Sequence, residues 1–154
     1  MKKLILIFII GFSFMSMNNI QAQSYKSAAG AKLGGWFVGT YKKQLKESWY
    51  VDFYAGLFGY FSNSLIAGAA LEIHKPIQDV ENLFWYYGGG ASFTTGYSEF
   101  GIGVNATLGL DYAFTEIPLN LSIDWMPGVY LSGYYKGPSF GLGALSVRYI
   151  LGQD

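Results

Sequence analysis

Three small residues near the middle of the chain have the spacing of a dinucleotide-binding turn. Gly101, Gly103 and Ala106 match the pattern G-x-G-x-x-A, in which the backbone approaches a pyrophosphate at the start of a helix. That fingerprint needs a strand before it, a helix after it and an acidic residue about twenty positions on. After Ala106, however, apolar residues continue to alternate with small or polar ones as far as Phe114. The alternation predicts one strand over residues 100–114 and no nucleotide site.

His74 is the second candidate for chemistry, as the only histidine in the sequence. A hydrolase would need a nucleophile beside it and an orienting acid. Glu72 lies two positions away on the same face, and Ser92 or Ser122 are the hydroxyls that alternation would bring near. With no cysteine, a metal site would have to be built almost entirely from carboxylates. We expect His74 to be a solvated or network residue, and we predict no catalytic residue, cofactor or metal.

The composition favours a β protein with little solvated surface. Of the 154 residues only 13% are charged, about half the usual share of a soluble domain, while 19% are aromatic. Ten basic and ten acidic residues balance, so nothing indicates a nucleic-acid partner. Twenty-one glycines accompany only four prolines, and the length suits one domain.

The first 22 residues have the pattern of a secretory signal peptide. Lys2 and Lys3 precede an apolar run over 4–14, and Ala22 marks the predicted cleavage edge. A signal-anchor helix is the alternative, but this run is shorter than the roughly twenty apolar residues that span a bilayer. We therefore predict a signal peptide at 1–22 and a mature domain at 23–154. Without Lys2 and Lys3, eight basic and ten acidic residues remain, a net charge of −2.

Period-two alternation recurs along the whole mature chain and predicts eight strands. Their expected ranges are 27–37, 39–45, 49–61, 64–75, 83–96, 100–114, 119–133 and 139–151. A bulge is expected near Ala144, where the phase slips. A local bulge or kink is expected at Pro127, which cannot donate to a sheet hydrogen bond. An even number of hairpin-linked strands places both termini at one end. The predicted fold is an all-β, eight-stranded antiparallel up-and-down barrel.

Three features favour an apolar outside that faces lipid. The other face is mostly Gly, Ala, Ser, Asn and Thr, which suits the narrow interior of an eight-stranded cylinder. The signal peptide exports the chain to the compartment where such barrels occur. Aromatic residues gather towards strand ends, as in the interfacial girdles of membrane barrels. These are Trp36, Phe37, Trp49, Tyr50, Tyr60, Phe61, Phe84, Trp85, Tyr112, Phe114, Tyr134 and Tyr135.

With the apolar face outward, seven charged residues fall inside. They are Lys32, Lys42, Asp52, Glu72, Asp111, Asp124 and Arg148. Buried charges are costly unless they are paired, so we expect a cross-barrel network that fills and rigidifies the lumen. A proton or ion path is the functional alternative. A free aqueous pore is not expected, because side chains can fill a barrel of this size.

Several strings resemble the small outer-membrane β-barrel proteins of Bacteroidetes, barrels of the OmpX/OmpA type. They are AAGAKLGG, TYKKQL, LEIH, YYGGGA, GLDYAF, IPLNLSIDWMPGVYL and LSVRYIL. The resemblance implies an integral outer-membrane protein inserted by the barrel-assembly machinery, with lipid and lipopolysaccharide as surroundings and no catalytic residues to carry over. Such barrels usually end on an aromatic residue, whereas here Tyr149 is followed by ILGQD.

The sequence thus predicts a monomeric porin-like barrel of the outer membrane with a structural or surface-interaction role and no enzymatic activity. Two alternatives stay open. A lipid-modifying barrel enzyme would require His74 at the outer rim beside a serine, yet KPIQD after His74 is assigned to the periplasmic end. A soluble lipocalin-like barrel would have an apolar interior that binds an apolar ligand.

Overall fold

The computed structural model describes residues 25–58, 63–141 and 143–153. This part of the chain contains strands and turns but no helix. The signal peptide predicted at 1–22 lies outside these residues. Within them, no helix is long and apolar enough to cross a membrane. The strands are β1 (Tyr25–Leu33), β2 (Trp36–Lys46), β3 (Trp49–Phe58), β4 (Leu65–Pro76), β5 (Leu83–Gly96), β6 (Glu99–Ala113), β7 (Leu119–Trp125), β8 (Gly128–Tyr130), β9 (Gly137–Ser139) and β10 (Gly143–Gln153).

The strands close into an antiparallel barrel. Each of β1 to β5 pairs with the next strand in sequence, β6 pairs with β7, β7 with β10, and β10 returns to β1. The short β8 continues β7 along β6, and β9 pairs with β8 ahead of β10. Since β7 with β8 and β9 with β10 each form one interrupted strand of the wall, the barrel has eight strands, as predicted.

The glycine pattern that opened the sequence lies on a strand. Gly101, Gly103 and Ala106 all belong to β6, which pairs without interruption with β5 from Glu99 to Tyr112. Gly101 and Gly103 are buried and face the interior, whereas Ala106 is exposed. The strand interpretation of this segment is therefore confirmed.

The irregularity expected at Pro127 is confirmed, but the one expected near Ala144 is not at that residue, which pairs regularly with Asp124. The seventh strand breaks at Met126 and Pro127, and the eighth breaks opposite, before Gly143. The Pro127 carbonyl accepts a hydrogen bond from the Ala106 amide, so the backbone there still has a partner. The indole of Trp125 donates a hydrogen bond to the Phe140 carbonyl at 2.5 Å, which links the segments beside the two breaks.

The first hairpin differs from its prediction. Strands over 27–37 and 39–45 were expected, but the chain turns at Gly34 and Gly35, and β2 begins at Trp36. Leu33 pairs with Phe37 across this turn. Alternation therefore continues in phase from one strand into the next, so the period of two gives no sign of the turn. The Gly34–Gly35 pair is the turn signal here.

The two ends of the barrel are distinct. Tyr25, Gln153 and the turns at 47–48, 77–82 and 114–118 lie at one end, which we call the termini end. The other, the hairpin end, carries the turns at 34–35, 97–98 and 131–136.

Large apolar side chains of the wall point outwards and stay exposed, while polar and charged residues are buried inside. The expected pairs of girdle aromatics split between these faces, because neighbours on a strand point to opposite sides. Phe37 and Trp49 are exposed, but Trp36 and Tyr50 point inwards. The girdle expectation was thus wrong for Trp36 and Tyr50. Tyr60 and Phe61 lie outside the described residues.

Two apolar layers close the interior near its ends. The layer at the termini end contains Tyr25, Ala28, Tyr50, Ala113 and Ile150. The layer at the hairpin end contains Val38, Tyr54, Ile66 and Met126, with Trp36 and Phe58 packed against it.

Candidate functional site: the charged lumen

Seven charged side chains meet inside the barrel between the two apolar layers. They are Lys32, Lys42, Asp52, Glu72, Asp111, Asp124 and Arg148, and none is more than 3% exposed. Each comes from a different strand, because each occupies an inward position of its own alternating segment. The structure therefore brings together all seven charged residues that the sequence placed in the lumen.

Arg148 is the most connected member of the network. Its Nη2 lies 3.1 Å from Asp52 Oδ2, and its Nη1 donates to Asn120 Oδ1 at 3.2 Å and to Ser122 Oγ at 2.8 Å. Its Nε donates to Thr40 Oγ1 at 3.2 Å. Arginine suits this position because its planar group can bind several acceptors at once.

The two lysines bridge pairs of carboxylates. Lys32 Nζ lies 3.0 Å from Asp52 Oδ2 and 3.2 Å from Asp124 Oδ2. Lys42 Nζ lies 2.7 Å from Glu72 Oε2 and 3.5 Å from Asp111 Oδ2. Every buried base therefore has at least one buried acid beside it, which offsets the cost of removing these charges from water.

Neutral groups donate further hydrogen bonds to three of the acids. Tyr86 donates its hydroxyl to Asp124 at 2.8 Å, and Tyr25 donates to Asp111 at 3.0 Å. Asn120 donates to Asp111 at 2.6 Å, and the Thr40 hydroxyl donates to Asp52. The ammonium of Lys42 also lies 4.2 Å from the centroid of the Tyr86 ring, a cation–π contact. These neutral donors link the ion pairs into one continuous network.

His74 is buried at the termini end of this network. Its Nε2 lies 3.0 Å from Glu72 Oε2, and its ring stacks on Tyr86 with centroids 4.7 Å apart and planes 7° from parallel. Tyr50 packs against it at 4.3 Å. Of the two roles expected for His74, the geometry fits the network residue, because the side chain is only 4% exposed.

The serines considered as nucleophiles have other partners. Ser122 accepts a hydrogen bond from Arg148. Ser92 pairs with Gly68 on β4, six residues along from His74, which corresponds to about 20 Å at strand spacing. The described contacts of His74 thus join it to an acid and to aromatic rings, and neither serine lies beside the imidazole.

Sequence reasoning missed the tyrosines of the lumen. Tyr54, Tyr86 and Tyr130 occupy inward positions, but the sequence pattern had given none of them a part in the charge network. Each directly faces a glycine of the neighbouring strand, respectively Gly68, Gly109 and Gly103. A Cβ on any of these glycines would lie 2.5–2.7 Å from the facing tyrosine ring. The sequence signal that would have identified these tyrosines is a tyrosine that faces a glycine across two adjacent strands, both at inward positions.

The arrangement can rigidify the barrel and block its axis. Among the described residues the lumen holds four carboxylates and three bases, so the acids outnumber the bases by one. Glu72 Oε1 and Asp124 Oδ1 are buried without a hydrogen-bond partner in the described part. The two apolar layers cover the network at both ends and separate its charges from bulk water.

Comparison of the chain with models of known protein families, with curated proteins and with solved structures finds no match. The fold and the lumen therefore carry the functional argument by themselves.

Proposed function

We propose that the protein is an integral barrel of the bacterial outer membrane with a structural or surface-interaction role. The observation that carries this proposal is the distribution of polarity across a closed wall. Lys32, Lys42 and Arg148 are buried inside, while Phe53, Ile123 and Val147 are each 46–56% exposed outside. A soluble barrel has the opposite preference, since water would solvate charges at low cost outside.

Closure of the wall supports the same proposal. Hydrocarbon offers no hydrogen bonds, so each backbone amide and carbonyl of a spanning segment must pair within the protein. A closed eight-stranded sheet meets this demand without a free edge. The predicted signal peptide fits export to the outer membrane, and the resemblance to OmpX-type barrels of Bacteroidetes agrees with it. Insertion would use the barrel-assembly machinery, and the surrounding molecules would be phospholipid and lipopolysaccharide.

The filled lumen favours a role for the outer surface and loops over transport. The hairpin end carries the exposed rings of Tyr97 and Tyr134, whose centroids lie 4.3 Å apart. Under the proposed orientation the termini end faces the periplasm, so this tyrosine pair faces outward from the cell. We propose no enzymatic activity, because His74 lies at the opposite end from these loops.

Cell fractionation with heat-modifiability tests the proposal. We expect the mature chain in the outer-membrane fraction, with a faster-migrating band before boiling than after it, because a closed barrel resists unfolding by detergent. A chain found in the soluble periplasm without detergent would overturn the proposal. It would favour the lipocalin-like alternative, which shares the closed eight-stranded barrel.

A further inference from the structure

An apolar groove lies on the outer surface of the described part of the barrel, separate from the charged lumen. Its volume is about 460 Å³, and it lies open along the outside of the wall. Its walls are the outward side chains of Trp85, Leu108, Leu110, Ile123 and Trp125, and Gly143 forms part of its floor. Gly143 occupies an outward position of β10 at which Leu145 and Val147, two and four residues later, carry exposed side chains.

A basic residue stands at one end of this groove. Lys75 pairs with Trp85 across β4 and β5, and its Nζ lies 5.7 Å from the centroid of the Trp85 ring and 5.7 Å from that of Tyr87. Both rings face outwards and stack on each other at 5.3 Å. Lys75 is exposed and lies one residue before the termini end of β4.

The register shows how the lysine and the groove are aligned. Lys75, Trp85, Leu110 and Ile123 are successive partners across β4, β5, β6 and β7. The next outward row, two residues closer to the hairpin end, contains Tyr87, Leu108, Trp125 and Gly143. A ligand that begins at Lys75 and follows the groove therefore runs from the termini end towards the middle of the wall.

We propose that this surface binds one membrane phospholipid, with its phosphate at Lys75 and an acyl chain in the groove. The proposal rests on the proposed membrane location. The phosphate is complementary in charge to the lysine, and a hydrocarbon chain is complementary to the apolar walls. The order of these two features along the wall matches the order of headgroup and chain in the leaflet at the termini end, where lysine and tryptophan suit the interface.

The structure offers matched variants for each half of this site. Gly143→Leu places a side chain in the groove, and its Cβ has ordinary van der Waals room, with Asp124 O at 3.7 Å. Gly39→Leu is the control, since Gly39 also faces outwards on β2, with its nearest contact at 3.8 Å. Lys75→Gln removes the charge, and Lys43→Gln removes another exposed lysine, on β2.

Native mass spectrometry of the refolded full chain in neutral detergent, titrated with dioleoylphosphatidylglycerol, tests the proposal. We expect one tightly retained lipid per barrel. Gly143→Leu should weaken binding at least tenfold, and Lys75→Gln about fivefold, since a lysine near a lipid surface contributes about that factor. Both control variants should stay within twofold of the parent. Dioleoylglycerol, which lacks the phosphate, should bind the parent as weakly as dioleoylphosphatidylglycerol binds Lys75→Gln.

Vesicle flotation of the same samples separates the two proposals. A chain that does not float with vesicles overturns both the membrane location and the lipid site. A chain that floats but binds no lipid preferentially, or binds it equally in Gly143→Leu and Gly39→Leu, overturns the lipid site alone. A dimer that Gly143→Leu disrupts would also overturn it, since a second copy would then occupy the groove.

Discussion

The ring of Tyr86 lies across the backbone of Gly109, its direct partner on the neighbouring strand. A Cβ on Gly109 would stand 2.5 Å from the Tyr86 Cζ and 2.7 Å from its hydroxyl oxygen. In this position the Tyr86 hydroxyl reaches Asp124 and the ring covers Lys42. A missing side chain on one strand thus creates the space for an aromatic ring that connects two parts of the charge network.

The substitution Gly109→Ala should therefore destabilise the barrel. Its methyl group would displace Tyr86 and press on the Ile123 carbonyl, at 2.7 Å, and such overpacking costs about 1–3 kcal/mol. Gly39→Ala is the control, because its Cβ has ordinary van der Waals room, and its stability should change by less than about 0.5 kcal/mol. Urea unfolding in detergent, followed by tryptophan fluorescence, measures both. Equal midpoints for the two variants would contradict the packing described for Tyr86.

Lys42 and Lys43 are adjacent in sequence but should respond to substitution in opposite ways. Lys42→Met leaves Glu72 and Asp111 without their cation in a buried site, which costs about 3–5 kcal/mol. Lys43 is exposed on the outer face, so Lys43→Met should change the free energy of unfolding by less than about 0.5 kcal/mol. The comparison needs only chemical unfolding of two variants. A larger loss for Lys43→Met would mean that the two faces are assigned the wrong way round.

The Arg148–Asp52 pair should show energetic coupling across the lumen. Arg148→Met and Asp52→Asn each remove one partner of a buried contact at 3.1 Å and should each destabilise the barrel. The double variant leaves Lys32 with Asp124, so its loss should be smaller than the sum of the single losses by about 0.5–3 kcal/mol. A double-mutant cycle on unfolding free energies provides the test. Strict additivity would show that the two groups do not interact.

The filled lumen predicts that the barrel does not conduct. Aromatic and aliphatic layers cover both ends of the charge network, and the network itself occupies the axis. We expect no stepwise current when the refolded chain is added to a planar bilayer. Regular conductance steps would favour the ion-path alternative for the lumen charges.

The sequence specified the wall better than the interior. Alternation located β5 at the residues where it is observed, 83–96, because that strand is uninterrupted and ends in the two-residue turn of Tyr97 and Ser98. It failed at Gly34 and Gly35, where a turn that keeps the alternation in phase leaves the pattern unchanged. Period two also fixed the inward side of each charged residue, and this was enough to collect the lumen set.

The partners of those charges could not be read from the pattern. Which base meets which acid depends on strand register, and register depends on turn lengths that alternation does not report. Arg148 reaches Asp52 across a separation of 96 residues, through the closure of β10 on β1. The glycine beneath Tyr86 likewise acquires its meaning only when β5 and β6 are aligned.

Quenching of single-tryptophan variants by lipids with a nitroxide on the acyl chain tests the central claim most directly. The chain has four tryptophans, of which Trp125 faces outwards and Trp36 packs inside against Tyr54 and Phe58. In vesicles that carry the quencher, we expect strong quenching of a variant that retains only Trp125 and little quenching of one that retains only Trp36. Quenching of Trp36 with protection of Trp125, or no quenching of either, would contradict a barrel whose apolar outside faces lipid.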